Sequence, residues 1–194
     1  MKKDLIGLAA ALCLCFAGSA FAADNAAMSK DAHKAAKDKI EAQYKADKAA
    51  CDGMNGNAKD LCKADAKGKE KVAKAELESQ YLPSPKADEK VKLAKADAAY
   101  DVAKEKCDDM KGNAKDVCKK DAKAAHEAAK GHAKADMKAA QKGANSPAAA
   151  EERKEAAKDT TDAQYAAAKE RCEALKGDTK DKCVADAKKK FNKS

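Results

Sequence analysis

The sequence predicts an all-α protein of three disulfide-closed antiparallel helical hairpins, elongated or loosely bundled, and three observations carry that prediction. A dodecapeptide with cysteines at both ends occurs three times, as CDGMNGNAKDLC at 51–62, CDDMKGNAKDVC at 107–118 and CEALKGDTKDKC at 172–183. The residues around it are mostly Ala, Lys, Glu and Asp, which lie at or near the top of the helix-propensity ranking or suit helix ends. Pro is rare and stands only between the repeats, at 83, 85 and 147.

The first 22 residues, MKKDLIGLAAALCLCFAGSAFA, read as a signal peptide. Lys2 and Lys3 form the charged start, Leu5 to Ala17 the apolar run, and Ala20-Phe21-Ala22 the small-x-small cleavage pattern. A membrane-spanning helix needs about 20 apolar residues, so the run is too short for an anchor, and none is expected elsewhere. Cleavage near Ala22 places the remaining chain in the periplasm or outside the cell. Removing Lys2, Lys3 and Asp4 reduces 41 basic and 33 acidic residues to 39 and 32, a net charge of +7.

Aromatic residues make up 4% of the chain and Trp is absent, too little bulk for the core that a chain of 194 residues normally buries. Disorder is the competing explanation of such a composition. Disordered chains, however, are rich in Pro, Gly, Ser and Gln, and this one has three Pro and nine Gly. Long helices follow.

Aligned on the first cysteine, Tyr44, Tyr100 and Tyr165 stand seven residues before it and Met54, Met110 and Leu175 three after it. Gly56, Gly112 and Gly177 follow at plus five, Asn57, Asn113 and Asp178 at plus six, Lys59, Lys115 and Lys180 at plus eight, and Asp60, Asp116 and Asp181 at plus nine. This is the pattern of an αα-hairpin tip. The glycine takes the left-handed conformation that ends one helix, the next residue N-caps the second, and the aspartate completes a variant capping box. About two residues then separate antiparallel helices.

Of the eight cysteines, Cys13 and Cys15 are expected to leave with the signal peptide; the remaining six can pair in fifteen ways, but a bond that closes each tight tip is favoured locally. The expected disulfides are Cys51 with Cys62, Cys107 with Cys118 and Cys172 with Cys183. Facing residues then sum to 113, 225 and 355 in the three hairpins, so Tyr100 meets Ala125 and Ala103 meets Ala122. Small residues along the seam let the helices approach as closely as a disulfide needs. The tyrosines share a heptad position with the cysteines and are expected in the seam. Leu82-Pro83-Ser84-Pro85 and Gly143-Ala144-Asn145-Ser146-Pro147 divide the chain into hairpins at 23–82, 86–143 and 147–194, the last with a short second arm.

Chemistry is sparse. Ten residues between the cysteines fit neither a thioredoxin-like pair nor a zinc site. His126 and His132 are six apart and fall on different helix faces, and His33 stands alone, so solvated or seam-edge histidines are expected in place of ligands. Carboxylates alternate with lysines as on any exposed helix. No catalytic, cofactor-binding or metal-binding residue is expected.

The signal peptide, the Ala and Lys richness and the repeated Tyr, Cys, Gly-Asn-Ala-Lys-Asp, Cys pattern resemble uncharacterised small exported proteins of Gram-negative bacteria. Some of these carry a label borrowed from TolA, whose long Ala, Lys and Glu helix spans the periplasm; there the similarity is one of composition. The resemblance implies an exported helical protein and supplies no activity. The functional expectation is a non-enzymatic structural or interaction protein of the cell envelope, bound to an envelope protein or polymer. Binding of nucleic acid, anionic lipid or cell-wall polymer through Lys59, Lys115 and Lys180 is the alternative, thiol redox chemistry a third, and exposed alanine faces also allow self-association.

Overall fold

The computed structural model describes residues 28–194, so the expected signal peptide lies outside the described residues. It contains six helices, α1 (Lys30–Ala50), α2 (Gly56–Tyr81), α3 (Pro85–Asp108), α4 (Gly112–Lys142), α5 (Pro147–Cys172) and α6 (Gly177–Lys190). The protein is all-α, its helices packed antiparallel in pairs. Each pair is closed by the expected bond, with Cα separations of 5.7, 5.6 and 5.7 Å for Cys51–Cys62, Cys107–Cys118 and Cys172–Cys183. None of the described helices is long and apolar enough to cross a membrane.

Serine starts the first helix of every hairpin. Ser29, Ser84 and Ser146 accept hydrogen bonds from the amides of Ala32, Ala87 and Ala149, which relieves one unpaired donor at each helix start. Pro85 and Pro147 occupy first-turn positions, where the missing N–H costs nothing. Gly143, at φ 92°, ends α4 where a side chain would be strained.

The hairpins also pack on one another. Among the described residues each helix contacts only its neighbours in sequence, so the six form one elongated, serpentine layer. The seams between hairpins, α2 on α3 and α4 on α5, are more extensive than those of the first and last hairpins. Close approach explains this. A Cβ added to Gly68 would lie 2.8 Å from that of Ala98, and one added to Gly131 would overlap that of Ala156.

Little apolar bulk lies inside this layer. The largest fully buried side chains are Cys51, Cys107 and Cys172, and most of the remaining core is alanine, with Leu77 the one buried leucine among the described residues. Ion pairs cross the seams, as Lys95 to Glu76 at 2.7 Å and Arg171 to Asp121 at 2.5 Å. Exposed pairs of this kind contribute about 0–1 kcal/mol each, so close alanine and glycine packing and the disulfides carry the fold.

Replacing Gly131 by Val is therefore expected to open the α4–α5 seam and cost about 1–3 kcal/mol. Thermal unfolding with non-reducing peptide mapping checks this, the expected result being a lower midpoint with all three disulfides intact.

Candidate interaction surface at the disulfide tips

The three tips share one local plan. After the first cysteine the chain turns back, and the amides of Met54, Met110 and Leu175 donate to the carbonyls of Cys51, Cys107 and Cys172 at 3.1, 3.0 and 3.0 Å. Gly56, Gly112 and Gly177 then adopt φ of 56°, 54° and 56°, the left-handed conformation that glycine alone takes without steric cost.

The capping expectation needs correction. Each glycine is the first residue of the second helix, not the terminator of the first, and residues 51–55, 109–111 and 173–176 separate the helices where about two were expected. The N-caps are Asn55, Lys111 and Lys176, and no side chain caps these three helix starts. Asn57, Asn113 and Asp178 lie inside the first turn, and Asp60, Asp116 and Asp181 are exposed beyond them. The physical reason is a competing use of the amide side chain. Asn57 donates to the carbonyl of Glu105 and Asn113 to that of Glu170, both at 2.7 Å. These carbonyls lie in the last turns of α3 and α5, where helical pairing of main-chain acceptors runs out, and that of Glu170 also accepts from the amide of Glu173. Each asparagine thus fastens its tip to the next one.

The tip lysines are engaged as well. Lys59 pairs with Asp52 at 3.6 Å, Lys115 with Asp108 at 2.8 Å and Lys180 with Glu173 at 2.6 Å. In every repeat the acid is the residue directly after the first cysteine, so the regularity is present in the aligned repeats. Lys115 and Lys119 hydrogen-bond Asp108 and hold its carboxyl down to about 2.

Apolar residues project beside these neutralised charges. Met54, Met110 and Leu175 are 42%, 45% and 37% exposed. At the second tip, Met110 also borders a groove of about 770 Å3 lined by Ala103, Cys107, Val117 and Cys118. Because the asparagines join tip to tip, the three apolar residues stand in a row along one edge of the layer.

The tyrosines lie at the helix seams. Tyr100 stacks on His126 with ring centroids 4.5 Å apart, one residue beyond the expected Ala125, and Tyr165 packs against Phe191 at 6.2 Å. Tyr44 is half-buried on α1. Tyr81, which the repeat alignment did not single out, stacks on His33 at 4.2 Å. Each histidine also meets a carboxylate three residues before its tyrosine, His33 with Glu78 at 2.9 Å and His126 with Asp97 at 2.6 Å. In the third hairpin Asp162 takes Lys193 instead. An acid three residues before all four tyrosines was the available signal.

Fold and tips together define a class: a single-layer helical repeat protein whose hairpins are clasped at one end by disulfides and linked through asparagine. No family model, no curated protein and no solved structure matches this chain.

Asp108 supplies a direct check of the tip geometry. Its carboxyl, lowered from the ordinary 3.8 to about 2, adds stability that is present above the ordinary value and is lost as pH falls through about 2. Carboxyl NMR is expected to show a midpoint near that value, moving up towards 3.8 in the Lys115→Ala/Lys119→Ala variant.

Proposed function

We propose that this chain is a non-enzymatic structural or interaction module of the cell envelope, acting in the periplasm after removal of residues 1–22 and presenting its row of tips to an envelope protein or polymer. The observation that carries the reading is the tip edge itself, where three disulfide-closed turns hold Met54, Met110 and Leu175 exposed. Exposed apolar side chains on a preorganised support lose little conformational freedom on binding, which is what a docking edge requires. Disulfides fit an oxidising compartment, and all six cysteines among the described residues are paired.

Polyanion binding is the competing reading. Lys59, Lys115 and Lys180 each already face a carboxylate of their own tip, so an incoming phosphate would have to displace that partner. Binding of that kind would weaken steeply with salt.

Photo-crosslinking residues placed at positions 54, 110 and 175 of the full chain test the proposal in cells. The expected result is a discrete adduct with an envelope component from each tip and none from position 134 on the exposed side of α4. Adducts equally frequent at all sites, or turnover of a substrate by the purified protein, would contradict it.

A further inference from the structure

The two seams between hairpins follow one rule, and the ends of the layer depart from it in different ways. Six residues after the second cysteine stand Gly68 and Ala124, small enough to admit the next hairpin, and at the tip Asn57 and Asn113 reach its carbonyls. In the last hairpin the corresponding residues are Lys189, exposed, and Asp178, whose side chain has no N–H to donate. The outer face of α6 therefore does not repeat the docking surface of α2 and α4. A further hairpin docked there would set a lysine stem into the close seam and a carboxylate against a carbonyl.

The outer face of α1 is not closed in this way. Ala98 on α3 and Ala163 on α5, nine residues before the first cysteine, are half-buried in seams, and Ala42 is their counterpart on α1. One heptad to either side stand Ala35 and Ala49, and all three alanines are exposed. The face of α1 turned to α2 is distinct, carrying His33, Ile40, Tyr44 and Cys51. Hence α1 retains the docking face that α3 and α5 cover, and among the described residues that face is exposed.

We propose that a second copy of this chain covers it, in a two-fold antiparallel pairing with Ala42 on the axis. The face is self-complementary about that residue: Ala35 meets the partner's Ala49, and Ala42 meets its own equivalent. Antiparallel helices bring like heptad positions together along each flank. Asp38 thus comes beside the partner's Lys45, twice by symmetry, and Lys39 lies along the partner's Ala46. Asp38, Lys39 and Lys45 are exposed and form no ion pair among the described residues, so these charges are free for the partner. A head-to-tail contact needs the closed face of α6, whereas two-fold pairing closes on itself and leaves that face at both outer ends. The result is one continuous layer of twelve helices. This inference does not rest on the tip reading, because α1 forms a side of the layer and the tips form an edge.

Sedimentation equilibrium of the oxidised full chain, with helix content and disulfides checked for every variant, tests the proposal. The wild type is expected to be a dimer. Ala42→Glu, which sets two carboxylates face to face on the axis, is expected to raise the dissociation constant at least about tenfold, as is Asp38→Lys. The double exchange Asp38→Lys/Lys45→Asp is expected to restore dimerisation. A monomer at all concentrations, a dimer indifferent to Ala42→Glu, or a double exchange that fails to restore association would overturn it.

Discussion

A disulfide between facing helices brings their Cα atoms to 5.6–5.7 Å, and much of the rest of the molecule is arranged to permit that approach. Large side chains along the seam would hold the helices too far apart, so alanine fills it and the first cysteine of each pair becomes the largest fully buried side chain. The same choice removes most of the hydrophobic stabilisation that a helical protein of this length draws on. In the chain-entropy picture, a bond closing about 12 residues contributes roughly 3 kcal/mol, comparable to burying one large apolar side chain completely. The covalent clasp and the thin seam are therefore mutually dependent.

From that constraint the single layer follows. Helices with small residues on two opposite faces can be flanked closely on both sides, and α2 to α5 are packed in this manner. Asparagine at two tips converts neighbouring hairpins into a registered row, because its amide satisfies a helix-end carbonyl of the next hairpin. Such quasi-one-dimensional arrays have separate rules for their interior and their ends. Among the described helices, Asp178 and Lys189 stand on the last and the exposed alanine face on the first.

Much of this was legible in the residues. The hairpins, their breaks and the disulfide partners follow from spacing and helix propensity, which act over short stretches of chain. The tyrosine seam was placed to within one residue, Tyr100 meeting His126 in place of Ala125. What was missed depends on contacts between hairpins or on side chains with two plausible uses. Asn57 reads as an N-cap when one hairpin is considered alone, and its real acceptor, Glu105, is 48 residues away. Gly68 and Gly131 look like weak points in helices until Ala98 and Ala156 arrive against them. The pairing of Lys115 with Asp108 was present in the alignment, but it acquires meaning only when the turn folds the two positions together.

The dependence of the seams on the clasps is the central claim, and hydrogen exchange of the backbone amides, compared between the oxidised chain and the same chain after reduction, tests it most directly. The account predicts that reduction collapses protection across all three hairpins, with α1–α2 and α5–α6, whose seams are shorter, exchanging fastest. Protection that survives reduction unchanged would mean that the alanine seams hold the helices together unaided, and would contradict it.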